Sequence, residues 1–269
     1  MWESSNPALR NDNVFNEAYG RLAERADTIT LQGVVNKSGL LVLIAVAAGA
    51  GGYALVGTMP SILWISCIAA FIVSLGVYFV IHGKPALAPV LAPVYAIVEG
   101  AFLGALTAAL DGVLAQMGYA AAGGLALQAF VITISILIAM LALYSFRILR
   151  PSQTFVSVIK VLTAGIMITY LISFVLSFFG TALPFVSLGS AFAGGKAAWI
   201  GLGINVFILG VASMWLIIDF KLIEDRVAEG GPKYMEWYCG FALLVTLAWI
   251  YYEAVKMAFR IAILLGNRD

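Results

Sequence analysis

The stretch WLIIDFKLIEDRVAEGGPKYMEWYCGFALLVTLAWIYYE, residues 215–253, decides how this chain folds. It leaves a long apolar segment at Asp219, crosses a charged turn that contains two glycines and Pro232, and enters a second apolar segment that carries Glu253. A carboxylate inside hydrocarbon is costly unless it is paired or hydrated, so an acid that is kept there is expected to serve a function. The rest of the chain is therefore interpreted as the scaffold that stabilises these acids inside the membrane.

The composition places the chain in a membrane. Hydrophobic residues make up 62% and charged residues 11% of its 269 residues, whereas soluble domains carry about 25% charged residues. Several apolar runs reach the roughly 20 residues that a helix needs to cross a ~30 Å hydrocarbon core, and the short alternating strands of a membrane barrel are absent. The expected fold class is all-α, a polytopic membrane protein with a seven-helix transmembrane bundle.

The apolar runs divide the chain into two parts. Residues 1–37 form a polar, cytoplasmic amino-terminal arm, in which residues 13–26 have the pattern of a short amphipathic helix. Residues 38–269 form the seven-helix transmembrane domain. Its predicted spans are 38–56, 62–81, 88–110, 124–145, 161–179, 198–218 and 237–265.

Lys and Arg concentrate in the arm and in the even connections, and this pattern predicts the orientation. They are Arg10, Arg21, Arg25 and Lys37 in the arm, and Lys84, Arg147, Arg150, Lys160, Lys221, Arg226 and Lys233 in the second, fourth and sixth connections. The fifth connection holds only Lys196. By the positive-inside rule the amino terminus is cytoplasmic, and seven crossings place the carboxyl terminus outside. The net charge of +1 gives no indication of a nucleic-acid partner.

A second unusual stretch, KPALAPVLAPVYAIVEGAFLG at residues 84–104, opens the third span. Pro89 and Pro93 lack a backbone donor and free carbonyls one turn back, so we expect a distorted helix that neighbours or water must satisfy. Glu99 lies about three turns inside the span, near the middle of the membrane. These residues predict the wall of an ion pathway. The alternative is a protonated Glu99 that hydrogen-bonds a neighbouring helix and serves structure alone.

Three acids of the sixth and seventh spans are candidates for a pH sensor. Glu253 shares one stripe of the last helix with Lys256 and Arg260, so an internal ion pair with these charge partners is an alternative to a role in transport. Asp219 ends the sixth span, where a solvated interfacial acid is the alternative, and Glu236 opens the seventh. Two nearby carboxylates in a poorly hydrated bundle cannot easily both ionise, so a pair should share a proton and act as a gate.

Motifs of enzymes are missing from the sequence. The single histidine, His82, ends a span, and there is no HExxH, no GxSxG and no His-rich cluster. Cys67 and Cys239 stand isolated in apolar segments and are interpreted as small hydrophobic residues. We therefore expect no enzyme activity, no catalytic residue and no cofactor, and the sequence assigns no metal site.

Four segments carry a resemblance to a known family. They are SSNPAL at 4–9, PVYAIVEGAFLG at 93–104, LIIDFKLIED at 216–225 and GGPKYMEWYCGFALLVTLAWIYYE at 230–253. Together they resemble the bacterial branch of the Bax inhibitor-1/YccA-like family, also called the transmembrane Bax inhibitor motif family, and PKYMEWY is the most specific segment. The resemblance implies seven helices with the last one central. It also implies a pH-sensitive passive leak of calcium, the transported ion, in the bacterial plasma membrane.

The resemblance further implies which acids form the gate. By motif they are Asp219 and Glu253, although the better-known members carry aspartate on the last helix and have a shorter interval between the two acids. Helix geometry puts Asp219 about three turns and Glu253 about six turns above the turn, a depth mismatch of about 15 Å. Glu236 lies nearer to the turn. The motif therefore favours Glu253 as the partner of Asp219, and depth favours Glu236.

Two other functions fit the same residues. YccA-type members of the family are thought to bind a membrane protease, so one alternative is a non-transporting regulator of such a protease or of another membrane protein. The other alternative is a proton-coupled carrier of small solutes. Membrane lipid and calcium ions are the remaining expected partners, and the sequence does not define the oligomeric state.

Overall fold

The computed structural model describes residues 28–119, 121, 123–181, 183 and 186–266, and seven of its helices are long and apolar enough to cross a membrane. The predicted all-α class and the predicted number of spans are confirmed. The amphipathic segment predicted at residues 13–26 lies outside the described residues. The seven helices are α1 Leu31–Val56, α2 Ile62–Gly83, α3 Ala88–Gln116, α4 Gly124–Ser145, α5 Gln153–Ser177, α6 Gly195–Ala228 and α7 Met235–Gly266, with a 3-10 turn Pro85–Leu87 before α3 and a short helix Gly189–Phe192 before α6.

Several helices extend beyond their predicted spans. α1 begins at Leu31, where the Thr30 hydroxyl caps it by accepting a hydrogen bond from the Gly33 N–H at 3.0 Å, so residues 31–37 belong to this helix. α6 continues to Ala228 because the charged residues after Asp219 form its last turns, where side chains reach water. Asp219, predicted at the end of the span, instead lies within the helix and is 7% exposed.

Helix α7 is the centre of the bundle. It packs against α1, α3, α4 and α6, while α2 packs mainly on α3 and α5 mainly on α6. Its buried side chains extend along nearly the whole helix, from Glu236 to Ile263. The outer helices expose large apolar side chains, such as Phe71 and Leu171, as expected for surfaces that face lipid. The expected central position of the last helix is confirmed.

Glycines set the close approach of α1 and α3. A Cβ atom on Gly49 would lie 3.2 Å from the carbonyl oxygen of Gly100, and one on Gly104 would collide with the Gly49 backbone. Small residues at such positions let helix backbones touch in membranes. Because Gly100 faces α1, its neighbour Glu99 is turned toward α2, where Ser74 donates to it.

The two ends of the bundle differ in charge. At one end the Ile29 N–H donates to the Gly231 carbonyl at 2.7 Å, which fastens the start of α1 to the α6–α7 turn. This end is called the basic end below. It comprises the start of α1 and the connections 83–88, 145–153 and 229–235, with the side chains Lys84, Arg147, Arg150 and Lys233. The positive-inside rule predicts that it faces the cytoplasm.

Candidate functional site

One stripe of α7 carries polar side chains through the apolar core. Thr246, Glu253 and Arg260 recur at intervals of two helical turns, and Lys256 lies one turn after Glu253. All four side chains are buried. Thr246 and Arg260 are about 21 Å apart along the helix at 1.5 Å per residue, which covers most of a ~30 Å hydrocarbon core.

Glu253 is fully buried and receives hydrogen bonds from three helices. Its Oε2 lies 2.9 Å from Lys256 Nζ and accepts from Asn205 Nδ2 on α6 at 2.7 Å, and its Oε1 accepts from the Tyr170 hydroxyl on α5 at 2.6 Å. Lys256 Nζ also donates to the Tyr170 oxygen at 2.8 Å and lies 4.5 Å from the centre of the Tyr252 ring. The internal ion pair that the sequence offered as an alternative is therefore present.

Arg260, the second predicted charge partner, does not pair with Glu253. Its Nη1 donates to Ser190 Oγ at 2.6 Å and its Nη2 donates to the Ser187 carbonyl at 3.0 Å. Gly201 of α6 makes room for this contact, because a Cβ atom there would lie 3.2 Å from Arg260 Cζ. Two turns separate Arg260 from Glu253, so the guanidinium instead ties the α5–α6 connection to α7 at the end opposite the basic end.

Asp219 contacts a hydroxyl and not another acid. Thr246 Oγ1 donates to Asp219 Oδ2 at 2.6 Å, with both groups buried between α6 and α7. Within the described residues no Lys, Arg or His forms an ion pair with Asp219. Because α6 ends at Ala228 and α7 begins at Met235, the residue at the depth of Asp219 is Thr246.

Glu236 links the start of α7 to the start of α1 at the basic end. Its Oε1 accepts from the Thr30 N–H at 3.2 Å and from the Thr30 hydroxyl at 2.9 Å, and it lies 2.9 Å from Lys233 Nζ. A Cβ atom on Gly33 would collide with this carboxylate. The structure thus does not bring Asp219, Glu236 and Glu253 together, and the shared proton expected of a paired gate has no counterpart among the described contacts.

The remaining predicted residues, Glu99, Pro89 and Pro93, lie on α3. Glu99 is half-buried and accepts from Ser74 Oγ at 3.1 Å. α3 continues through Pro93, and Pro89 lies in its first turn, where a missing N–H leaves no bond unmade. A 3-10 turn, Pro85–Leu87, precedes α3, and Pro93 lies inside the helix, where its missing N–H removes one helical hydrogen bond. Glu99 and the two prolines are not part of the α6–α7 site.

Sequence reasoning missed three neutral residues of the site, Thr246, Asn205 and Tyr170. Asn205 is a polar residue within the apolar run of α6, so the sequence could have marked it as a candidate site residue. Tyr170 is not distinguishable in the sequence from the other aromatic residues of the spans. Asn205 Oδ1 is buried and has no hydrogen-bond partner among the described residues. Among the residues that the structure describes, no three His, Cys, Asp or Glu side chains form a group that could hold a metal ion.

The seven apolar helices and the polar stripe of the central one define a multi-pass membrane protein. A family model described as Bax inhibitor 1 like matches residues 6–262, and the chain belongs to this family. It is a family of membrane channels and regulators and not a known family of enzymes. No curated protein and no solved structure matches the chain.

Proposed function

We propose that this protein is a passive, pH-sensitive cation leak of the bacterial plasma membrane, with Ca²⁺ as the conducted ion and the basic end on the cytoplasmic side. The observation that supports this most is the pair of acids, Asp219 and Glu253, buried at two depths along the central helix. Ionisable groups inside a membrane generally mark ion or proton pathways. Carboxylate and amide oxygens are also the ligands that Ca²⁺ takes in proteins.

Asp219 is the proposed pH sensor. Its hydrogen-bond partner, Thr246, is neutral, so ionisation leaves a charge between α6 and α7 without a cation to compensate it. A buried charge of this kind attracts water and counter-ions, whereas the protonated carboxyl group can stay dry. Calcium flux is therefore expected to rise with pH as Asp219 ionises.

Glu253 is the proposed cation contact, and Lys256 is its internal competitor. In the structure the ammonium group occupies Glu253 Oε2, so a cation reaches this carboxylate only after Lys256 moves away. The rings of Tyr170 and Tyr252, with centres 4.9 and 4.5 Å from Lys256 Nζ, already contact this ammonium group, and these contacts would help to hold it when it leaves Glu253. Asn205 Oδ1 supplies a second oxygen beside Glu253. The described arrangement is then the closed state of the leak.

Flux into liposomes that contain a calcium dye tests the proposal. Purified protein should admit Ca²⁺ at a rate that rises with pH, and Asp219→Asn should hold the flux at the parent's low-pH level at every pH. The matched control is Asp225→Asn on the same helix, since the Asp225 side chain is half-exposed and pairs with Lys221. This control should keep the parent's pH profile.

Two results would contradict the proposal. If Asp219→Asn keeps the pH profile of the parent, the sensor is another group. If the parent protein gives no flux at any pH, the leak itself is refuted, and a non-transporting regulator becomes the better interpretation.

A proton-coupled carrier is the second candidate. It is favoured by the chain of direct contacts from Lys256 through the Tyr170 hydroxyl to Glu253, because such chains pass protons inside membrane proteins. A pH dye in the same liposomes distinguishes the two functions. A carrier moves protons when a solute gradient is applied, whereas a leak moves Ca²⁺ without any added solute.

A further inference from the structure

A cavity of about 900 Å³ opens beside α6 and α7 at the basic end. Its walls come from four helices and include Val35 of α1, Leu141 of α4, Phe220 of α6 and Leu247 of α7. The volume lies at the upper end of the ~300–1,000 Å³ that is usual for sites of small ligands. The polar stripe of α7 does not line this cavity, so it forms a separate candidate site.

The cavity suits a hydrocarbon chain from the bilayer. α1 and α4 both line it and do not form a packed helix pair among the described helices. Leu31, Val35 and Leu141, which lie on these two helices, are exposed. Water and ions gain nothing from such walls, whereas an acyl chain buries apolar surface against them.

The rim of the cavity carries positive charge. Arg147 and Arg150 come from the α4–α5 connection, and neither forms a salt bridge with any described residue. Lys221 at the same rim pairs with Asp225, and the rim acid Glu224 accepts a hydrogen bond from the Tyr144 hydroxyl. Glu224 keeps its negative charge, so the two arginines leave the rim net positive. The guanidinium group matches phosphate oxygens with two parallel hydrogen bonds.

Arg147 holds a backbone conformation that usually belongs to glycine. Its φ is 60°, and the Ile148 N–H donates to the Leu143 carbonyl at 3.0 Å, which is the pattern of a helix ended by a left-handed residue. A long side chain is uncommon at such a φ, and an uncommon residue there is a reason to look for a function. The same turn places Arg147 on the rim of the cavity.

We propose that this cavity binds an anionic phospholipid from the leaflet at the basic end. One acyl chain lies between α1 and α4, and the phosphate contacts Arg147 and Arg150. Charge complementarity and the apolar walls select this occupant over the other candidates, which are residues 1–27 of the chain and a second copy of the protein.

The first test compares two lipids that have the same acyl chains. The full-length protein in a neutral detergent is titrated with phosphatidylglycerol or with phosphatidylcholine, and bound lipid is counted by native mass spectrometry. The protein should retain phosphatidylglycerol more tightly.

Arg147→Gly should weaken this binding about fivefold, the effect of one basic residue near an anionic lipid. It should not lower the melting temperature, because glycine takes a positive φ without strain. Lys84→Gly, at the same end but away from the cavity, is the control and should bind as the parent does.

The second test fills the cavity from α1. Gly39 lines it, and a Cβ atom added there meets no atom within 4 Å, so Gly39→Leu should fold and should block the acyl chain. Gly51→Leu on the same helix is the matched control, since its Cβ atom also meets nothing within 4 Å and Gly51 lies outside the cavity.

Loss of phosphatidylglycerol from Arg147→Gly and from Gly39→Leu, with both controls unchanged, supports the site. Equal retention of the two lipids, or unchanged retention in Arg147→Gly, overturns it. If residues 1–27 or a second copy fill the cavity, the parent and Gly39→Leu will show the same lipid retention, and this result also overturns it.

Discussion

Replacing Lys256 by methionine tests how much the buried charges of α7 contribute to stability. Lys256 is 4% exposed, and its Nζ contacts Glu253 Oε2 at 2.9 Å and the Tyr170 hydroxyl at 2.8 Å. Methionine fills much of the same volume but leaves the Glu253 carboxylate buried without a cation. Breaking a buried ion pair from one side typically costs about 3–5 kcal/mol, and we expect Lys256→Met to destabilise the protein by this amount.

The double variant Glu253→Gln/Lys256→Met separates the lost charge from the lost volume. The introduced glutamine is neutral and can still accept from the Tyr170 hydroxyl, so no uncompensated charge remains in the core. Replacing both members of a buried pair is often close to neutral, and we expect the double variant to lie within about 1 kcal/mol of the parent. Since Lys256→Met alone costs about 3–5 kcal/mol, the coupling energy between the two positions is then at least about 2 kcal/mol.

Unfolding in mixed micelles, followed by tryptophan fluorescence as the denaturing detergent increases, measures these free energies. The destabilisation of Lys256→Met should shrink as pH falls, because protonation removes the lone charge of Glu253. The reasoning is refuted if the two single changes add within about 0.5 kcal/mol, since independent sites behave in that way.

Three further predictions follow from other parts of the molecule. Gly104→Leu should destabilise the protein by about 1–3 kcal/mol, because its side chain would collide with the α1 backbone. Gly51→Leu should leave stability unchanged, since a side chain there enters open space, and equal melting temperatures of the two variants would contradict the glycine contact. Glu99→Gln should keep its stability, since the amide oxygen accepts from Ser74, and should lower calcium flux; unchanged flux with a lower melting temperature would make Glu99 structural. A reporter fused after Asp269 should be extracytoplasmic, and a cytoplasmic signal there would reverse the predicted orientation.

The sequence predicts the number and the approximate positions of the helices more accurately than it predicts the residues at which they begin and end. Runs of about 20 apolar residues are required to cross a bilayer, so seven such runs were enough to predict the bundle. Hydropathy marks where a helix leaves hydrocarbon and not where its hydrogen bonding stops. The charged residues after Asp219 therefore suggested a turn, although they continue α6 to Ala228.

The site was only partly predictable, because its contacts depend on how helices are aligned. The ion pair of Glu253 with Lys256 follows from spacing on one helix, which the sequence shows directly. The contacts of Glu253 with Tyr170 and Asn205 come from two other helices, whose rotation and depth are set by packing. Neutral side chains in apolar spans give no charge signal, so these partners became visible only in the fold.

The alignment of α6 and α7 gives the two acids different chemical roles. With the turn confined between Ala228 and Met235, Asp219 comes level with Thr246, which can donate a hydrogen bond but cannot neutralise a charge. Glu253, two turns further along the same stripe, has its own cation one turn away. The charge of Glu253 is therefore compensated by a cation partner in the described arrangement. Asp219 has no cation partner among the described residues and must be hydrated whenever it is ionised, so the α6–α7 seam should open as Asp219 loses its proton, and under the proposed function Glu253 and Lys256 should then decide which ions pass.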